Sequence, residues 1–220
     1  MIIKGRMILL IGIVLLIPTL QINGAMVGNW SCTAYEGGCN GERGEKNDSQ
    51  TLGQVLIEGA VNFMESHSSM VNFLIKIETL DINNPNYLEF SAILDTIIEK
   101  MEKAKGNYYE LINMAANMKY NQEIILQLTS FNYSKFGQEN GLIPTIFREV
   151  EVLLNKGDVK GVYEEFFLRT DEILKNLYEV KKEIDSHIFP TLSTLWEINQ
   201  KYVEMQLFGQ FVSEIFYEII

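Results

Sequence analysis

From Ser49 to the last residue, apolar side chains return at steps of three and four, the spacing of one face of an α-helix. The longest such stretch is the last sixty or so residues. Its first half reads Val159, Val162, Phe166, Ile173, Leu174, Leu177, Val180, Ile184 and Ile188. After Pro190 the spacing resumes with Leu192, Leu195, Tyr202, Met205, Val212, Ile215 and Ile219. Helices with this much apolar surface bury it against other helices, and the preceding chain supplies them. One is expected from Ser49–Thr51, where Thr51 and Gln54 offer a capping box. Its inward face is Leu52, Val55, Leu56, Gly59, Phe63, His67, Met70, Leu74 and Ile77. A second starts with Asn84 as cap and Pro85 in the first position. It turns inward Tyr87, Phe90, Leu94, Ile97, Met101, Ala104, Tyr108, Leu111, Ala115 and Met118, with Glu89, Asp95, Glu99, Glu102 and Lys103 on the opposite face.

The middle of the chain is less regular. Asn121 caps a third helix through Ile124, Ile125, Leu128 and Phe131, or the second simply runs on. Gly137, Gly141 and Pro144 break the pattern, so residues 132–143 read as an irregular stretch. Pro144 opens a short helix carrying Phe147, Val150, Leu153 and Leu154; Asn155-Lys156-Gly157 closes it and Asp158 caps the next. Pro190 leaves two readings, a kinked rod or a turn between two helices of about 30 residues, roughly 45 Å each. Matching helix lengths favour the turn. The expected fold class is all-α: an up-and-down bundle of four to five long helices over residues 49–220.

What precedes the bundle has a different character. Lys4 and Arg6 stand before an apolar run from Met7 to Leu20, followed by Gln21, Asn23, Gly24 and Ala25. Basic, apolar, then small is the order of a secretory signal peptide, assigned to residues 1–25. The run is shorter than the roughly 20 residues of a spanning helix, and Pro18 interrupts it. A membrane role would come only from an uncleaved signal. Residues 26–48 form a Gly- and Asn-rich arm without apolar periodicity. Cys32 and Cys39, the only cysteines, are expected to form a disulfide across the Thr33–Gly38 loop in an oxidising compartment. So short a loop contributes about 2–3 kcal/mol, all of it local. The spacing is not the Cys-x-x-Cys of a redox centre. The expected location is secreted or periplasmic.

Charge and composition narrow the function. The 220 residues carry 18 Lys and Arg against 29 Asp and Glu. Losing residues 1–25 removes Lys4 and Arg6 and no acid, leaving 16 against 29, or −13. That balance argues against nucleic acid, which rewards clustered Lys and Arg, and against anionic lipid surfaces. Met64 stands three before His67 and Ile184 three before His187, so the Glu-x-x-His pairs of a bundle-borne metal site are absent. No catalytic, metal or cofactor site is assigned. His67 lies on an inward face, where it reads as a hydrogen-bonded core residue; as a general base it would need a nucleophile and an orienting acid that the spacing does not supply. With Met70 and Met101 it could instead line a space for an apolar ligand. In the last helix the charged stripe of Glu197, Lys201, Glu204, Glu214 and Glu218 passes through Leu207, Phe208 and Phe211. Either that helix is enclosed on all sides, or these three offer a patch to another protein or a second copy. The function expected is a binding or interaction module without catalytic machinery, the alternative being a carrier of an apolar small molecule.

Overall fold

The computed structural model describes residues 52–80, 85–117, 122–139 and 144–219. The signal segment and the Cys32–Cys39 arm lie outside the described residues. Among the described residues the chain is helical throughout, without a strand, in seven helices. These are α1 Leu52–Glu78, α2 Tyr87–Asn117, α3 Gln122–Ser130, α4 Tyr133–Glu139, α5 Pro144–Leu154, α6 Val159–Asp185 and α7 Leu192–Ile219.

The four long helices, of 27, 31, 27 and 28 residues, are each roughly 40–47 Å long. Each neighbour runs antiparallel to the last. Lys76 at the end of α1 pairs with Glu89 at the start of α2. Toward the other end, a Cβ on Gly59 would stand 3.2 Å from Asn107 Cβ and the Tyr108 ring, so glycine sets the close approach there. Ser91 meets Asp185, Lys181 meets Asp95, and Tyr108 stacks on Phe166, which lays α6 back along α2. Lys201 pairs with Glu172, and Phe208 meets Phe166 edge-on at 5.0 Å, returning α7 along α6. Asn199, Tyr202 and Gln206 of α7 then meet His67, Ser66 and Met64 of α1, which closes the ring α1–α2–α6–α7.

Local chemistry explains where the helices begin and end. Asn86, rather than the expected Asn84, caps α2: its Oδ1 accepts from Glu89 N at 3.3 Å, and its Nδ2 donates back to Glu89 Oε2 at 3.4 Å. A glutamate three residues after the cap makes that exchange reciprocal, and Pro85 falls outside the helix. After α5, Gly157 takes φ +65°; its N–H reaches Leu154 O and that of Asp158 reaches Leu153 O, a Schellman closure. Asp158 then caps α6 by accepting from Gly161 N at 2.8 Å. Pro190 lies in a turn. Ile188 N–H reaches Glu183 O and His187 N–H reaches Ile184 O, the same closure with His187 at φ +60° in the place of glycine. Thr191 Oγ1 accepts from Thr194 N at 3.1 Å and opens α7. Ile188, expected on the inward face of α6, lies past this closure and is exposed.

The stretch 132–143 is not uniformly irregular. Asn132 Oδ1 accepts from Lys135 N at 3.0 Å and starts α4, while Tyr133 is buried and donates its hydroxyl to Leu128 O at 2.7 Å. Helices α3 to α5 sit between α2 and α6 in sequence, and α3 and α5 pack on α7. Leu128, Val150 and Leu154 enter the core with Tyr133. Arg169 of α6 fastens this group, pairing with Glu149 of α5 and Glu165 while its guanidinium lies 5.0 Å over the Phe208 ring. Between Lys201 and Val212 no residue of α7 is exposed.

Candidate functional site

The polar groups enclosed by the bundle gather where α1 faces α7. Ser66 and His67 occupy adjoining inward positions of α1, and Asn199 and Tyr202 share the inward side of α7, one helical turn apart. All four are buried. Ser66 Oγ donates to Ile97 O of α2 at 2.9 Å and lies 2.7 Å from Tyr202 Oη. Because the single serine proton is committed to the carbonyl, the phenol is the donor of the second bond. The chain Tyr202 → Ser66 → Ile97 therefore ties three helices together with every proton placed. Burial pushes the Tyr202 phenol well above its ordinary pKa, so it stays protonated.

His67 belongs to a separate set of contacts. Its ring stacks on Tyr202 with centroids 4.9 Å apart and 8° between planes, and Nε2 lies 3.2 Å from Asn199 Oδ1. Burial lowers the imidazole pKa, opposed by the side chains of Asn199 and Gln206, and the ring is neutral at pH 7. Ser66 and His67 are neighbours in sequence but not hydrogen-bonded partners. The serine proton points to a carbonyl and the imidazole to an amide, so the pair is not a nucleophile with its base. Among the described residues, no group of three or more His, Cys, Asp or Glu side chains could hold a metal ion.

The other residues singled out by the sequence fall as follows. Met70 and Met101 are in the core. Phe208 is 0% exposed, Phe211 is buried, and Leu207 is partly buried against the core. This corrects the reading of the three as a patch offered to a partner. Phe166 and Arg169 of α6 lie against Phe208, and α5 and α3 also pack on α7, so the polar stripe breaks off where the helix is enclosed. His187 is exposed, its ring 4.9 Å from that of Tyr87. Cys32 and Cys39 lie outside the described residues.

Sequence reasoning missed Ser66, Asn199 and Gln206. The first two carried a signal: Ser66 falls three residues after Phe63, and Asn199 lies four after Leu195 and three before Tyr202, both inward positions. No family model, curated protein or solved structure matches the chain.

Proposed function

We propose that this chain is a binding or interaction module without catalytic machinery, working outside the cytoplasm in a secreted or periplasmic setting. The observation that carries the reading is at one end of the bundle. Phe189 stacks on Tyr87 there, the His187 ring lies tilted against Tyr87, and Phe90 is edge-on to Phe189 at 5.4 Å. Beside them in sequence, Leu88 is 84% exposed, Ile188 58% and Leu192, the first residue of α7, 45%. Large apolar side chains held in water at the rim of an ordered aromatic knot gain free energy when a partner covers them. Ser66, His67, Asn199 and Tyr202 inside the bundle, by contrast, are engaged with one another or with backbone. Export is supported by the basic, apolar and small order of residues 4–25. Among the described residues no helix is long and apolar enough to cross a membrane.

The partner in this reading is another protein or a second copy, met at the end of the bundle that carries Leu88, Ile188 and Leu192 rather than at Phe208. Size-exclusion chromatography with light scattering on wild type and a Leu88→Asp, Ile188→Asp variant tests it, alongside cross-linking in the source cell. An assembly that the variant converts to a folded monomer supports the proposal. A variant that retains every assembly and cross-link of the wild type contradicts it. A co-purified lipid or pigment in native mass spectra would favour the carrier instead.

A further inference from the structure

Helix α1 is apolar on two sides. Its inward face, through Phe63, Met70 and Phe73, enters the core against α2 and α7. On the opposite side stand Ile57, Val61, Met64, Ser68, Val71 and Ile75, at steps of four, three, four, three and four residues. Val61 is 48% exposed, Ile75 43% and Met64 40%, although Met64 keeps one edge on Gln206 of α7. Ser68 is exposed too, and Ile57 and Val71 are half-buried. Steps that average 3.5 residues are those of a coiled-coil seam, where a second helix of the same spacing seats its side chains between these.

The order of residues in the stripe identifies the helix that fits it. From either end it runs Ile, Val, a central pair, Val, Ile, with the same spacing in both directions, and exposed Gln54 and Glu78 stand three residues beyond each end. A two-fold interface needs a patch complementary to itself. An axis between Met64 and Ser68 sets Ile57 against Ile75 of the second copy, Val61 against Val71, and Met64 against Ser68. The small serine leaves room for the long, adaptable thioether. Charge points the same way. The chain carries a net −11, so copies repel wherever their acids meet. None of the six positions is charged, whereas the outer face of α2 carries Glu89, Asp95, Glu99 and Glu102. Beside the axis, Glu65 is already paired with Lys100 of α2, so each of the two acids brought together there comes with its own lysine. Glu58, on the same flank, comes level with the uncharged Asn72 of the second copy.

We propose that two copies of this chain pair through the outer face of α1, the two helices running antiparallel about a two-fold axis between Met64 and Ser68. The surface is separate from the end of the bundle that carries Leu88, Ile188 and Leu192, which this pairing leaves open to another partner. From Ile57 to Ile75 the seam is roughly 27 Å long. A contact of that size places the pair among concentration-dependent dimers rather than obligate ones.

Size-exclusion chromatography with light scattering on the full chain, from about 1 µM to about 1 mM, reads the pairing. Wild type is expected to pass from monomer to dimer mass across that range. Val61→Asp, Ile75→Asp is expected to lose the dimer while keeping the helical circular dichroism and melt of wild type, because both sites face water in the single chain. Mild oxidation of a Val61→Cys, Val71→Cys variant, followed by peptide mapping, reads the direction. Positions 61 and 71 of one chain are about 15 Å apart along α1, too far to bridge, so a 61–71 link joins two copies. That link supports the proposal. A wild type that stays monomeric up to about 1 mM overturns it, as does a dimer indifferent to Val61→Asp, Ile75→Asp. A dimer whose cysteines join 61 to 61 and 71 to 71, the pattern of parallel helices, or do not join at all, also overturns it. The cysteine variant decides the matter even where the aspartates prevent folding. The end of the bundle is read apart from this pairing. Leu88→Asp, Ile188→Asp leaves the 61–71 link intact, and its own conversion to monomer is followed in the Val61→Asp, Ile75→Asp background.

Discussion

Replacing Phe208 by alanine removes a large, fully buried side chain near the centre of α7. The ring is 0% exposed, meets Phe166 edge-on at 5.0 Å and lies under the Arg169 guanidinium. Truncating a buried phenylalanine costs about 3–5 kcal/mol through lost transfer energy and the cavity left behind. Within that total, an edge-on aromatic pair is worth about 0.5–1.5 kcal/mol. A cation over a ring adds about 0.5–2 kcal/mol, increasing as it is desolvated. Arg169 also loses the surface over which it bridges to Glu149, so α5 is expected to loosen with the core. The working figure is about 4 kcal/mol, a large part of the 5–15 kcal/mol typical of a whole domain. With a urea slope of about 2 kcal/mol per molar, the midpoint falls by about 2 M. Urea unfolding followed by circular dichroism, with light scattering on the same samples, is the assay. A loss under about 1 kcal/mol, or a fall in assembly size without loss of stability, refutes the reasoning that α7 is enclosed.

Other predictions concern single contacts. Ser66→Ala should cost more than Tyr202→Phe: the first leaves a buried phenol without its acceptor, about 1–3 kcal/mol, while the second leaves Ser66 bonded to Ile97 and costs about 1 kcal/mol. Urea titration of both variants checks the order, and the reverse order would show that the phenol is not the donor. His187→Gly should be at least as stable as wild type, and His187→Val less stable by about 1–2 kcal/mol, since a positive φ suits glycine and strains a β-branched residue. Thermal melts read both. Asp158→Ala should cost about 1 kcal/mol by removing the acceptor for Gly161 N–H, and Asp158→Asn much less. The pH dependence of global stability follows from His67, whose folded pKa is depressed by burial. Its contribution is complete above the unfolded value of about 6.5 and is lost as pH falls from there toward the folded value. His67→Gln should flatten that part of the curve.

Much of the bundle was legible because helical burial leaves a periodic trace. The inward face read for α2, from Phe90 through Ala115, contains eight of the nine residues that the structure buries in that helix; only Ile98 escaped. Helix ends were legible at Gly157 and Pro144, but not at Pro85, which lies outside α2, or at Gly137, which lies within α4. Nor were they legible where another residue took the glycine's part. His187 adopts a positive φ with no signature in the sequence, which is why Pro190 could be read as a kink or a turn. The setting of α7 was the harder question. An interrupted polar stripe says that a helix is covered, but not whether its own chain or a partner does the covering; here α6 of the same chain lies against Phe208, with α5 and α3 packed on α7 as well. The polar cluster was half legible. His67 stood out as a polar residue on an apolar face, whereas its partners come from α7, more than 130 residues away, and no local pattern joins them.

The account rests on α7 completing the ring, bonded to α1 and packed on α6, with α5 and α3 also packed on it. Site-resolved native-state hydrogen exchange near neutral pH tests this most directly. Amides from Lys201 to Val212 are expected to exchange in the slowest class, together with those from Ile97 to Leu111 of α2. Fast exchange of that α7 segment, at rates like those of an exposed helix, while α2 stays protected, would contradict it.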